Sequence, residues 1–266
     1  MMRAMRTLSF LVLPFALLGC KAPPQAPTRL EELCNFVFTH FDDAETEELT
    51  LGLDNLETWL NKGNNLADTL EGYQITNLDK AAVENIDTSS EDVDALLGAA
   101  VANRHHHSTK RVSRAVVVDD WEEVAKLNYN VYDRDFHKEP SCFPGRECMR
   151  IGATSYAEAK FAGIIDVVTR NRIQFRWIES DAGWMMLQRS WLTEPADVSM
   201  DNIEVNAQYF LTVTYPETSN KSVRLQATWI DADYGALPVS EDFAKQQIVK
   251  SMQKQGEAVE EWLDGD

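Results

Sequence analysis

From Met149 onward the chain alternates. Ile173, Phe175 and Trp177 are separated by Arg172, Gln174 and Arg176. Ile203, Val205, Ala207, Tyr209, Leu211, Val213 and Tyr215 are interleaved with Glu204, Asn206, Gln208, Phe210, Thr212 and Thr214. Val223, Leu225, Ala227 and Trp229 are interleaved with Arg224, Gln226 and Thr228. A period of two is that of a β-strand. Apolar residues on one face and polar ones on the other predict an antiparallel sheet covered on one side only. Trp184 to Leu192 reads as a further strand. Arg170-Asn171, Ser180 to Gly183 and Thr218 to Lys221 read as the turns between neighbours. A strand over 203–215 runs about 43 Å at 3.3 Å per residue, so the sheet must twist or curve.

Before this region the spacing is helical. Thr28 with Glu31 forms a capping-box pattern, and Leu30, Leu33, Cys34, Val37 and Phe41 follow at helical intervals. A second helix carries Leu49, Leu53, Leu56 and Leu60 on one face and ends at Gly63. A third is expected from Ser90 to about Asn103, with Val93, Leu96, Leu97 and Val101 inward. Val112 to Val118 reads as extended and Trp121 to Leu127 as helical. The chain closes with a long helix. Ser240 is its N-cap, Phe243, Ile248, Met252, Val259 and Trp262 face inward, and Gly256 is a point of bending. The expected fold is α+β: a helical N-terminal region, then a curved antiparallel sheet packed on a long C-terminal helix.

The first residues change the picture from a plain globular protein to an exported one. Arg3 and Arg6 precede an apolar run, Leu8 to Leu18, that is shorter than the roughly 20 residues needed to span a bilayer. This is the pattern of a cleavable export signal. Leu17-Leu18-Gly19-Cys20 resembles the lipobox of bacterial lipoproteins. The resemblance implies cleavage before Cys20, a diacylglyceryl group on its thiol, acylation of its freed amine, and anchorage to a membrane by two or three acyl chains. Lys21 after the cysteine, by resemblance to the sorting rule of enteric bacteria, implies the outer membrane, with the body in the periplasm or at the cell surface. Residues 21–27, Lys-Ala-Pro-Pro-Gln-Ala-Pro, form a tether of roughly 20 Å in polyproline geometry. The expected organisation is a signal peptide over 1–19, a lipidated cysteine and tether over 20–27, a helical region over 28–110, and the sheet with its terminal helix over 111–266.

Charge and cysteine usage narrow the partners. The formal charge is −18, and loss of Arg3 and Arg6 with the signal takes it to −20. So acidic a body is repelled by nucleic-acid backbones, which argues against nucleic-acid binding. Cys142 and Cys148 flank a five-residue loop, and an oxidising compartment favours their closure as a disulfide over metal ligation, since no second pair has zinc-like spacing. Cys34 lies in an apolar helical stripe and reads as a small buried hydrophobe.

Candidate chemistry is sparse. His105, His106 and His107 read as a solvated loop rather than a metal site, because adjacent residues on a helix diverge and no acid lies within four positions. Asp231, Asp233, Gly235 and Asp242 depart from a calcium loop in the place of the glycine and in the twelfth position, so a strand-to-helix turn is the better reading. Asp133, Asp135 and His137 are not accompanied by a nucleophile–base pattern, a His-Glu-x-x-His or a phosphate loop. No enzyme, no metal and no cofactor is expected.

Asp231-Ala-Asp-Tyr-Gly235-Ala-Leu237-Pro238, lying between antiparallel strands and a long terminal helix, resembles the end of START-like, helix-grip lipid-binding domains. The resemblance covers roughly residues 112–266 and implies an apolar pocket between sheet and helix. Phe175, Trp177, Met186, Tyr209, Leu225, Trp229 and Met252 are the residues expected to line it. The resulting expectation is a membrane-tethered binding or carrier module for an apolar ligand such as a lipid. The alternative is a structural or protein-interaction lipoprotein with a filled core, in which those same residues pack against one another with no void.

Overall fold

A computed structural model describes residues 23–90, 92–125, 129–161, 165–235 and 240–265. Four helices come first, α1 (Leu30–Thr39), α2 (Glu47–Leu60), α3 (Asn65–Leu70) and α4 (Lys80–Val83), with a two-residue strand β1 (Tyr73–Gln74) before the fourth. Then follow β2 (Leu97–His105), α5 (Thr109–Val116), α6 (Trp121–Ala125), β3 (Tyr129–Phe136), β4 (Arg150–Phe161), β5 (Ile165–Ser180) and β6 (Gly183–Leu192). The chain ends with β7 (Asp197–Val198), β8 (Glu204–Pro216), β9 (Ser222–Asp233) and α7 (Glu241–Gly265). The strands form one antiparallel sheet in the order β1-β2-β9-β8-β6-β5-β4-β3, with β7 added beside β5. The long strands from β3 to β9 follow one another across the sheet, and the first long strand, β2, returns beside the last. A long terminal helix lies against this sheet, so the α+β helix-grip architecture is present.

Several local expectations give way to tertiary context. The segment expected to be a third helix contains β2, which pairs with β9 over its whole length, from Leu97 opposite Ile230 to His105 opposite Ser222. The alanine-rich run there suits either state, and the free edge of β9 decides it. Val112 to Val118, expected to be extended, is mostly helix α5: the Ser108 side chain caps it by accepting the Arg111 amide, and Val112, Ala115 and Val116 are buried along it. Arg170 and Asn171 are not a turn but the middle of β5, opposite Tyr156 and Ser155 of β4. The hairpin at Ser180–Gly183 is as expected, with Gly183 at φ +108°, a backbone conformation glycine adopts without strain. Thr28 does not cap α1, whose N-cap is Arg29. Ser240 does accept the Phe243 amide at 3.2 Å, but Phe243 itself is exposed rather than inward.

Over β6, β8, β9 and β2 both faces of the sheet are covered, which overturns there the expectation of a sheet with one solvated face. On one side α1 and α2 press Leu33, Val37, Phe38, Leu53 and Leu56 onto Leu187, Tyr209, Leu211, Leu225, Ala227 and Trp229. Phe38 meets the rings of Tyr209 and Trp229 edge-on at 6.0 and 5.7 Å. On the other side lie α5, α6 and α7, which cover the apolar half of β5 and, on β8 and β9, the half that the alternation makes more polar.

Two buried arginines tie the N-terminal helices to the sheet. Arg189 donates to the Phe38 carbonyl at 3.1 Å, to Gln174 Oε1 at 2.8 Å and to the Asp42 carboxylate. Arg176 donates to the Phe41 carbonyl and, at 2.9 Å, to that of Asp43. These carbonyls lie at and just past the carboxyl end of α1, where backbone acceptors are left over and a positive charge is favoured.

A candidate binding site beneath the terminal helix

Strand register sets out the face under α7 as rungs. One rung runs Trp177, Met186, Thr214, Arg224, Asn103 across β5, β6, β8, β9 and β2. The next runs Phe175, Gln188, Thr212, Gln226, Val101. Residues directly opposite share a face. Each rung therefore starts apolar at β5 and becomes polar toward β9.

The apolar end is packed. Phe175, Trp177 and Met186 join Val112, Val116, Trp121 and Phe143, closed from above by Val259 and Leu263 of α7. The indole of Trp177 donates to the Phe143 carbonyl at 2.8 Å, and their rings are 5.4 Å apart. Phe143 is fixed by the loop that the Cys142–Cys148 disulfide closes.

The polar end is buried but not satisfied. Arg224 is 1% exposed, Thr212, Thr214 and Gln226 are fully buried, and His105 is 1% exposed. Some of their hydrogen bonds are made: Gln226 Nε2 donates to Gln255 Oε1 of α7 at 2.6 Å, and His105 Nδ1 lies 2.6 Å from Glu260 Oε2. Others are absent. Nε and Nη1 of Arg224, Oγ1 of Thr212, Thr214 and Thr109, Nδ2 of Asn103, Oε1 of Gln226 and Nε2 of His105 are buried with no partner among the described residues. Buried polar groups normally find partners, and a cluster of orphans on one face is a departure that calls for a cause. Burial alone pushes the Arg224 guanidinium down to about 10, with no carboxylate opposing it, so it remains a cation at neutral pH. Burial likewise lowers His105, against the opposing pull of Glu260.

A cleft of about 220 Å³ opens at this end of the sheet. Its walls are the start of α5 (Ser108, Thr109, Lys110), the disulfide loop (Pro144, Arg146), Trp177 and Trp184, and the β8–β9 turn (Pro216, Thr218, Ser219). Arg146 stacks on Trp184 at 4.7 Å. Thr109 lines the cleft and carries one of the orphaned hydroxyls, itself buried; Arg224, Asn103, Thr214 and Gln226 lie behind the cleft wall rather than on it. Pro216 and Thr214, two residues apart on β8, share a strand face.

The seven residues expected to line one apolar pocket do not do so. Phe175, Trp177 and Met186 lie on the α7 side. Tyr209, Leu225 and Trp229 lie on the opposite side, under α1, where Trp229 Nε1 donates to the Thr76 carbonyl at 2.7 Å and the Tyr209 hydroxyl to the Ser90 carbonyl. Met252 of α7 packs on Ala99 and Val101. The sheet itself separates the two groups, because a strand's alternate residues point to opposite faces. Cys20 lies outside the described residues. The residues that reasoning from sequence passed over, Arg224, Thr212, Thr214, Asn103 and Gln226, belong to the polar half of the alternation, which looks the same in sequence whether water or a helix covers it.

The histidine run is not a solvated loop throughout. His105 ends β2 and is buried, while His107 Nε2 is 2.9 Å from Asp264 and 4.0 Å from Glu260, acids brought from α7. His107, Glu260 and Asp264 thus present metal-ligating atoms within 4.8 Å of one another. Asp133 and Asp135 lie on β3, paired with β4, and the His137 amide bonds to Gly152.

No family model matches the chain, and no curated protein matches it. Solved structures with a similar arrangement include a START superfamily protein from Mycobacterium smegmatis, with TM-score 0.42 and 9% identity over 63% of this chain and 97% of that one. TTHA0849 from Thermus thermophilus gives TM-score 0.40 and 14% identity over 63% and 97%. Ara h 8.0201 gives TM-score 0.38 and 12% identity over 64% and 99%.

Proposed function

We propose that the protein is a binding or carrier module for a small amphipathic molecule held between α7 and the sheet. The observation that carries this reading is the buried, unsatisfied polar cluster around Arg224, on the sheet face that also carries Trp177, a wall of the cleft. Sites for small molecules combine apolar walls with a few placed polar groups, and both are present here within one face. The reading refines the expectation of an apolar ligand: the molecule needs a polar end. It acts by binding, not by catalysis. The module is exported and held at a membrane, the outer membrane by the Lys21 sorting rule, through lipid on Cys20. No helix among the described residues is long and apolar enough to cross a membrane.

Native mass spectrometry of protein produced in an oxidising compartment, followed by solvent extraction, tests binding. A discrete extractable mass is expected. An empty protein that also ignores fatty acids, alkanols and phospholipids would overturn the reading. Incorporation of labelled palmitate, lost in Cys20→Ala, is the expected result for the anchor. The second reading, an interaction protein without ligand, is favoured by one feature, the tight packing of Trp177 and Trp229 in their separate cores.

A further inference from the structure

We infer that Arg224 receives the anionic group, a carboxylate or phosphate, of the molecule that enters beneath α7; this rests on the binding reading above and names the ligand's chemistry. Arg224 stands on β9 facing α7, 1% exposed, with Nε and Nη1 unbonded and no acid within ion-pair distance among the described residues. An unpaired buried cation is costly, and it is retained where something supplies the opposite charge. Its two register neighbours on the same face, Thr214 on β8 and Asn103 on β2, offer a hydroxyl and an amide nitrogen that are also unbonded.

The balance of donors and acceptors selects the ligand's sign. The orphaned groups around Arg224 are its own Nε and Nη1, the Asn103 amide nitrogen and the Thr214 hydroxyl, all able to donate, against one orphaned acceptor two residues along β9, Gln226 Oε1. A neutral ligand satisfies some of these and leaves the charge alone. A carboxylate or phosphate accepts from a guanidinium in forked geometry and takes further donors on its remaining lone pairs. The protein's own acid at this end of the sheet is already engaged, since Glu260 accepts from His105 and from the His106 amide. Above the rung α7 carries Gly256, where an added Cβ would lie 2.5 Å from Asn103 Nδ2 and 3.6 Å from Gln226 Oε1. The helix thus passes close over this corner, and a ligand would enter from the cleft, whose wall residue Pro216 stands two residues from Thr214 on β8.

The test compares three probes of one chain length on the full protein, decanoate, decyl phosphate and decanol, by titration of tryptophan fluorescence. Decanoate or decyl phosphate is expected to bind at least tenfold more tightly than decanol, and whichever of the two is tighter identifies the headgroup. Arg224→Met is expected to remove that preference while leaving decanol unchanged, its fold checked by urea unfolding. The wild-type ratio decides the matter even if the variant does not fold. Decanol binding as tightly as both anions would overturn the assignment of Arg224 and leave the binding reading intact. No binding of any of the three would overturn both.

Discussion

The two faces of the sheet each bury arginine, and they treat it in opposite ways. Under the N-terminal helices, Arg176 and Arg189 are bonded to carbonyls at the end of α1 and to Asp42, and they join helix to sheet. Under α7, Arg224 is as deeply buried and, among the described residues, has no carboxylate and no carbonyl on Nε or Nη1. All three guanidinium groups are lowered to about 10, each chiefly by burial, yet only Arg176 and Arg189 have acids pulling the other way. A buried charge with partners is a structural joint; one without them is a socket. The difference between the faces, more than any one residue, separates scaffold from site.

Large truncations should show the scaffold face first. Trp229→Ala empties a fully buried position between β9 and α1, and urea unfolding is expected to show a loss of about 3–5 kcal/mol. A loss under about 1 kcal/mol would mean that the N-terminal helices are not seated on this face.

The arginines offer a contrast of sign. Arg189→Met leaves helix-end carbonyls without donors and is expected to destabilise by about 2–4 kcal/mol. Arg224→Met removes an uncompensated charge, and in ligand-free protein the same measurement is expected to show a gain of about 1–3 kcal/mol. Equal destabilisation by both would erase the distinction between joint and socket.

Reduction of the Cys142–Cys148 disulfide should cost about 2 kcal/mol by loop entropy. It frees the loop whose Phe143 carbonyl holds Trp177. Unfolding with and without reductant measures the cost, and a reductant-induced change in Trp177 emission is expected with it.

A smaller effect is pH-dependent. Burial holds His105 below its ordinary value of 6.5, with Glu260 opposing. Below pH 6.5 the unfolded chain therefore takes up a proton that the folded chain refuses until the lower folded value is reached. Stability falls with pH across that window, by up to about 1.4 kcal/mol per pH unit for one proton. His105→Gln is expected to flatten the fall below pH 6.5. An unchanged slope would place the titrating group elsewhere.

Much of this was legible in the residues. The alternation through Tyr209–Tyr215 and Val223–Trp229 predicts β8 and β9, the spacing of Leu49, Leu53, Leu56 and Leu60 predicts α2, and the compartment implied by Cys20 predicts the Cys142–Cys148 bond. Less legible were segments whose state depends on a distant partner. β2 is a strand because β9 has an edge to fill, and α5 is a helix because its β-branched residues find a core to enter.

What the sequence determined by itself is periodicity, because a side chain's direction along a strand or helix is a local matter of backbone geometry. Which element covers each face is a matter of tertiary structure. The apolar faces of β8 and β9 went to α1, and α7 settled on the polar ones. Alternation reports that two faces differ, but it carries no information about whether water lies on the polar one. That single undetermined fact turns Arg224 from a surface charge into a buried one.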